Sequence, residues 1–163
     1  MKNADKNPEA DKNPLAQLAH LIRSNQEGIW LRLANETDIQ RVSGEVEPGR
    51  IKQSLFNWNL VAIDLEIPEG QVPDDGVTRD ITRVTQLYLL GFDSGLYPWY
   101  TSKVMRFDAK SKTVLTGSGS FYRLDGPRAT GDLEHRLVYH LEHVFISWGL
   151  GEHFGLLPKG SLQ

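Results

Sequence analysis

Two histidines late in the chain have a spacing that would suit metal binding or acid–base chemistry. His140 and His143 are three residues apart, and a helix places residues at that spacing on the same side. His153 follows, preceded by Glu152, so the weak alternative prediction is a metal site of His140, His143 and His153. The set lacks a known ligand spacing such as H-E-x-x-H, and helices commonly carry polar histidines on their outer face. We therefore favour no metal at these residues.

Serine nucleophiles are the second possibility, in the segment that contains Ser118 and Ser120. A catalytic serine of the G-x-S-x-G type sits on a sharp strand-to-helix turn beside a base, but a strand pattern follows here. Gly117 and Gly119 instead favour a bulge within a strand pair. The chain has no cysteine, and it contains no phosphate-binding or dinucleotide-binding glycine motif. No cofactor is expected.

A cluster of aromatic residues lies in a predicted turn at residues 97–100. Rings in loops often anchor protein interfaces, because they desolvate a large area with little loss of rotamer entropy. They also stack on nucleic-acid bases, and Lys103, Arg106 and Arg123 would then neutralise phosphates. The simplest interpretation is that the rings cover an open edge of the core, with a protein interface second and nucleic acid third. The candidate binding residues are Tyr97, Trp99, Tyr100, Lys103 and Arg123.

Charge is distributed unevenly along the 163 residues, whose formal net charge is −3. Residues 36–80 contain ten acidic and four basic residues. This acidic middle segment argues against a phosphate backbone on that face. A solvated acidic surface is the favoured interpretation, and docking of a basic partner is the minority one.

The first half of the sequence predicts a helix followed by strands. Pro14 suits the first helical position and Gly28 the end of a short amphipathic helix. Four apolar residues of this helix recur at helical spacing and are expected on one face: Leu15, Leu18, Leu21 and Ile22. Residues 29–33 and 60–67 predict strands, and residues 39–46 a possible further one. Residues 68–76 are rich in Pro, Gly and Asp and predict a loop.

The second half predicts a central strand, three shorter strands and a long helix. Residues 81–90 become apolar on both faces, which favours a central position in the sheet. A turn at 93–98 leads to strands within 100–107, 113–116 and 117–124, with Val104 opposite Met105 and Phe107, and Tyr122 sharing a face with Leu124. The helix spans about residues 130–148 and is capped by Thr130 or Asp132. Its apolar stripe is Leu133, Leu137, Leu141, Val144, Phe145 and Trp148.

Together these patterns predict an α+β fold: a mostly antiparallel sheet with an N-terminal helix and a C-terminal amphipathic helix packed on one face. The expected organisation is a mobile polar tail over residues 1–14 and a single domain over 15–163. The sequence contains no apolar run of membrane-spanning length and no signal-peptide pattern, so we expect a cytoplasmic protein with no membrane contact.

The leading functional prediction is a non-enzymatic binding or accessory protein. It would contact another protein, or a second copy of itself, through the loop aromatics and the acidic middle segment. One alternative is a metal-dependent or acid–base enzyme that uses the His140 and His143 helix face. The other is a nucleic-acid-binding module that uses the C-terminal half, where residues 95–163 carry eight basic and six acidic residues.

Overall fold

The computed structural model describes residues 14–25, 28–68 and 81–148. The predicted tail up to residue 13, the predicted loop from residue 69 and the histidine at 153 lie outside these ranges. Three helices and six strands are present in the described part of the chain, which confirms the α+β prediction. They are α1 (Pro14–Asn25), β1 (Ile29–Leu33), α2 (Glu36–Val42), β2 (Ile51–Pro68), β3 (Ile81–Phe92), β4 (Pro98–Asp108), β5 (Thr113–Thr116), β6 (Phe121–Asp125) and α3 (His135–Trp148).

The sheet closes on itself through β2, the longest strand. Strands β1 to β6 pair in chain order with antiparallel neighbours, and the first half of β2 also pairs in parallel with β6. Five strands, β2 to β6, therefore form a closed ring of pairings, while β1 pairs with the second half of β2. The two halves of β2 meet at an irregularity between Phe56 and Asn59, where Asn57 has φ +48°. Asparagine is one of the few residues that adopt this conformation at low cost.

Two apolar clusters lie on opposite faces of the sheet. One fills the inside of the ring with alternate residues of all five ring strands: Leu55, Trp58, Leu60, Ala62, Leu87, Leu89, Val104, Phe107, Val114, Tyr122 and Leu124. The other lies outside, where residues of β1, β2 and β3 are covered by Leu18 and Ile22 of α1 and by Leu137, Leu141 and Phe145 of α3. Residues 58–63 of β2 are thus buried on both faces, which the period-two pattern alone did not predict.

Both terminal helices have their apolar faces on the outer cluster, with some differences from prediction. Leu15, Leu18 and Ile22 are buried, whereas Leu21 is 40% exposed. Helix α3 begins at His135, and the Oε1 atom of Glu134 accepts a hydrogen bond from the Arg136 backbone N–H at 3.2 Å. The prediction that Thr130 or Asp132 caps this helix was wrong. Leu133 is buried but precedes the helix.

The possible strand at residues 39–46 is instead the short helix α2. Asn35 caps it: its side chain accepts from the Asp38 backbone N–H, and the Asp38 carboxylate accepts from the Asn35 N–H. This reciprocal pair fixes the first turn and satisfies two of the helix's free N–H groups. A local hydrogen-bonding signal therefore outweighed the weak strand pattern.

Two details of the last strands also differ from prediction. Val104 and Phe107 point to the same side, into the ring, because the β4–β5 register shifts between Val104 and Arg106 and the irregularity adds a residue between them. Gly117 and Gly119 form the tight connection between β5 and β6, closed by a 2.9 Å bond from the Gly119 N–H to the Thr116 carbonyl, and they are not a bulge within paired strands. Tyr122 and Leu124 share the inner face as predicted.

Candidate functional site

The turn between β3 and β4, residues 93–97, presents the large side chains of Leu96 and Tyr97 to solvent from a hydrogen-bonded backbone. Its backbone is closed by the Asp93 N–H donating to the Tyr97 carbonyl at 3.0 Å and the Leu96 N–H donating to the Asp93 carbonyl at 2.9 Å. Asp93 and Tyr97 are thus the closing pair of a hairpin whose loop has three residues, 94–96. The last residue of such a loop adopts a left-handed conformation.

Asp93 organises the turn with its carboxylate. Oδ1 accepts from the backbone N–H groups of Gly95 at 2.8 Å and Tyr97 at 2.9 Å, and Oδ2 accepts from the Trp99 indole N–H at 3.0 Å. These bonds favour the ionised form, so the Trp99 indole, and after it the Tyr97 N–H, hold the pKa of Asp93 below its ordinary value. The turn is therefore fixed by a charge that ordinary pH values leave in place.

Leu96 occupies the left-handed position of the turn. Its φ is +67°, where glycine is the usual residue, and Gly95 beside it does not take that role. A left-handed conformation costs a residue with a Cβ about 1–2 kcal/mol. The side chain is 63% exposed, so packing against the protein's own core does not explain why leucine stands here. Strain at an exposed apolar residue is a recognised indication of function.

Tyr97 is 68% exposed, yet its ring has a defined place. A Cβ atom added to Gly95 would lie 3.2 Å from two ring carbons of Tyr97, so the ring rests against the glycine backbone. A side chain at position 95 would displace the ring by a few tenths of an ångström. Contact with the Gly95 backbone therefore restricts the ring on one side, which reduces the rotamer entropy lost on binding.

Arg136 ties the turn to helix α3. Its Nη2 atom donates to the Leu96 carbonyl oxygen at 2.8 Å, and its guanidinium lies 5.3 Å from the centre of the Phe92 ring. The left-handed peptide is therefore anchored from outside the hairpin. Sequence reasoning missed Leu96 and Arg136, because nothing in the sequence indicates a leucine at positive φ or a contact across 40 residues.

The five predicted binding residues do not form one surface. Trp99 and Tyr100 belong to β4 and not to the turn, and they point to opposite faces. Trp99 packs against the ring interior near Tyr122, whereas Tyr100 stacks on Tyr88 at 5.3 Å on the outer face, where burial raises its pKa. Lys103 and Arg123 are exposed on β4 and β6. Tyr97 alone lies in the turn.

The histidines and serines of the alternative predictions have the following environments. His140 is half-buried, and its pKa is lowered by burial and by the neighbouring His143, which is exposed. Within residues 14–25, 28–68 and 81–148, no three His, Asp or Glu side chains converge as metal ligands. Ser118 Oγ lies within 3.3 Å of the hydroxyls of Ser102 and Ser120, in a surface chain of hydroxyl groups.

The acidic middle segment is partly neutralised by arginines. Arg32 donates to both Asp38, at 2.6 Å, and Asp64, at 2.8 Å, and Arg83 pairs with Glu66 at 3.1 Å. The described acidic residues of this segment that remain on the surface are Glu36, Glu45 and Glu47. These three residues are spread over α2 and the residues that follow it, and the other acidic residues described, Asp38, Asp64 and Glu66, are paired with arginines.

Comparison with known protein families, with curated proteins and with solved structures finds no match for this chain. Of the helices that the structure describes, none combines the length and apolar character that crossing a bilayer requires.

Proposed function

We propose that this protein is a non-enzymatic binding protein that contacts another protein through the β3–β4 turn. Leu96 and Tyr97 serve as its apolar anchors. The observation that carries the proposal is the left-handed, solvent-exposed leucine at a position where glycine would relieve the strain. The cytoplasmic location expected from the sequence stays a prediction.

The construction of the turn supports a binding role. Asp93 bonds to the hairpin backbone from inside and Arg136 from α3, so the backbone that carries both anchors is held by hydrogen bonds before a partner arrives. Tyrosine is enriched among the residues that supply most of the energy of a protein interface, and a backbone that is ordered before binding lowers the entropy lost. A disordered loop with the same residues would lose more conformational entropy on binding.

The chemistry of the turn favours a protein over nucleic acid at this site. Its accessible groups are an aliphatic and a phenolic side chain, whereas phosphate recognition needs available cations. The neighbouring cation, Arg136, already donates to the Leu96 carbonyl and lies over the Phe92 ring. An apolar patch on the partner is the natural complement.

Capture from lysate of the native host with a matched pair of variants tests the proposal. Tyr97→Ser removes an anchor, and Tyr139→Ser removes a tyrosine of similar exposure, 61%, from α3. Quantitative mass spectrometry should show a partner retained by the wild type and by Tyr139→Ser but depleted at least about tenfold by Tyr97→Ser. Equal capture by both variants would remove the turn from consideration. Sedimentation of the same proteins shows whether the partner is a second copy of this chain.

A further inference from the structure

A second surface lies on the outer side of the ring, away from the apolar residues that α1 and α3 cover. Those residues come from β1, the second half of β2, β3 and the start of β4. On β5 and β6, Val114, Tyr122 and Leu124 point inward, so the residues that alternate with them point outward. In the part of the chain that the structure describes, the outward-pointing residues of β5 and β6 do not belong to the apolar cluster that α1 and α3 cover.

An apolar stripe crosses this outer face perpendicular to the strands. Ile51 on β2 is in register with Phe121 on β6, and Phe121 is in register with Leu115 on β5. Leu115 is in turn opposite Arg106 on β4. Ile51 is 37% exposed, and Phe121 and Leu115 are half-buried. Directly paired side chains on one face of a sheet lie close enough to form a continuous surface.

Exposed cations surround the stripe. Arg106 ends it on β4, and Arg123 lies beside it on β6, between Ser54 and Thr113 in the neighbouring strands. Lys52 and Lys103 are exposed on β2 and β4. We call Ile51, Leu115 and Phe121 with these four cations, Lys52, Lys103, Arg106 and Arg123, the cationic sheet face.

The acidic groups near this face do not cancel its charge. Asp108 is buried, and its carboxylate accepts from the backbone N–H groups of Val46, Lys110 and Ser111. Asp125 is half-buried at the end of β6. Glu45, Glu47 and Arg50 are exposed in the segment that enters β2, whose Gly44 lies beside Arg106 and whose Gly49 lies beside the Phe121 ring. The cations at this face outnumber these carboxylates, so a local excess of positive charge remains on a chain whose net charge is −3.

We propose that the cationic sheet face binds an acidic segment of a partner protein, one that carries apolar residues between its carboxylates. The apolar stripe receives the apolar side chains, and the surrounding guanidinium and ammonium groups pair with the carboxylates. This surface is separate from the β3–β4 turn and stands on different residues, so it extends the proposed function to a second contact.

The form of the stripe favours an acidic protein segment over single-stranded nucleic acid. Base binding needs an aromatic ring with an open face. The Phe121 ring lies directly against Gly49, where a Cβ atom would have no room, so part of the ring surface is already occupied by this chain. Ile51 and Leu115 offer aliphatic contacts, which suit aliphatic side chains.

Titration of the full chain with three synthetic probes tests this inference. The probes are a short peptide that alternates glutamate with leucine, polyglutamate of equal length, and single-stranded oligothymidylate. Binding of each probe is measured by fluorescence anisotropy, and backbone amide shifts in NMR spectra locate it on the protein. The alternating peptide should bind most tightly, shift amides of β4, β5, β6 and the first half of β2, and weaken as salt is added. Shifts confined to the β3–β4 turn, tighter binding of oligothymidylate, or no binding of the peptide would overturn the inference.

Matched variants locate the binding on this face. Arg123→Gln should weaken binding of the alternating peptide about three- to fivefold, and the double variant Arg106→Gln with Arg123→Gln about tenfold or more. The control Arg83→Gln removes a single charge elsewhere on the surface and should change the affinity for the peptide less than about twofold. Ile51→Ser should weaken binding of the alternating peptide and leave that of polyglutamate unchanged. An equal loss with Arg83→Gln, or no loss with the double variant, would contradict the proposal. Circular dichroism confirms that each variant is folded.

Discussion

At the scale of single residues, Arg32 makes four hydrogen bonds to two carboxylates. It lies on β1 and donates to Asp38 on α2 and to Asp64 on β2, and Asp64 also accepts from the Thr85 hydroxyl on β3 at 2.6 Å. Asp38 is buried, so its charge needs this partner. The guanidinium thus joins three elements, and Asp64 links the fourth, β3, to them; the planar group of arginine suits two carboxylates at once.

Replacing Arg32 with glutamine should lower the free energy of unfolding. Loss of one partner of a fully buried pair costs about 3–5 kcal/mol, and because the Arg32 side chain is 37% exposed, screening reduces the expected loss to about 2–3 kcal/mol. Arg83→Gln, which removes the exposed pair with Glu66, should change the free energy of unfolding by less than about 1 kcal/mol. Urea unfolding measures both. Similar losses in the two variants would show that Asp38 does not depend on Arg32.

The same network predicts how stability responds to acid. Hydrogen bonds from Arg32 lower the pKa of Asp38, and at Asp64 burial acts in the opposite direction but is outweighed by the bonds from Arg32 and Thr85. A carboxyl group whose pKa is lower in the folded state than in the unfolded state stabilises the folded state fully at pH values above its unfolded pKa of about 4. This contribution is lost as the pH falls through the pKa of the group in the folded state. In a series of thermal unfolding measurements from pH 7 downward, the midpoint temperature should therefore begin to decrease at about pH 4. The decrease should be less steep in Arg32→Gln. Parallel curves for both proteins would refute this assignment.

At the scale of elements, α3 stabilises the fold through one apolar face. Leu137, Leu141 and Phe145 are buried against the outer cluster, and α3 contacts both β4 and α1. The 3.6-residue period of these positions identified the helix in the sequence. Its start was missed because Leu133, the first apolar residue of the pattern, lies in the preceding loop and is buried there, although it is not part of the helix.

Truncation of Leu141 to alanine should cost about 2–5 kcal/mol of unfolding free energy, because it leaves a cavity under α3. The control is His143→Ala on the exposed side of the same helix, which should change stability by less than about 0.5 kcal/mol. Chemical denaturation followed by circular dichroism compares them. A small effect of Leu141→Ala would mean that α3 is not packed as described.

Other elements show where sequence patterns were insufficient. Helix α2 has only seven residues, too few for a periodic signal, although the Asn35 and Asp38 pair was a usable capping signal. The period-two pattern of β4 failed at the register shift beyond Val104, because an irregularity changes which face the following residues occupy.

At the scale of the whole molecule, β2 connects the two apolar clusters. Its inner residues Leu60 and Ala62 face the ring interior, and Val61 and Ile63 face the helices. The parallel pairing of β2 with β6 closes the ring between residues about 70 apart in the chain. No local pattern encodes such a pairing, so the ring was not predictable from one sequence. The opposite placement of Trp99 and Tyr100 follows from strand alternation, and it was missed because these residues were assigned to a turn.

Since both clusters share β2, the helices and the ring should unfold together. In a variant with Trp30 and Trp148 replaced by phenylalanine, tryptophan fluorescence reports on Trp58 and Trp99, which pack inside the ring of strands. This fluorescence and far-ultraviolet circular dichroism, which also reports on the helices, should give coincident urea transitions. A helical transition that precedes the fluorescence change would show that the outer layer is a separate cooperative unit.

The most direct test of the account replaces Leu96 with glycine and measures stability and partner capture on the same protein. Glycine relieves the left-handed strain, so the free energy of unfolding should rise by about 0.5–1 kcal/mol, after allowance for the more flexible unfolded chain, while capture of the partner falls. Lys112→Gly is the control, because Lys112 has φ +56° outside the turn and should gain stability with capture unchanged. Unchanged capture by Leu96→Gly, or an equal fall in both variants, would contradict the binding role of the turn.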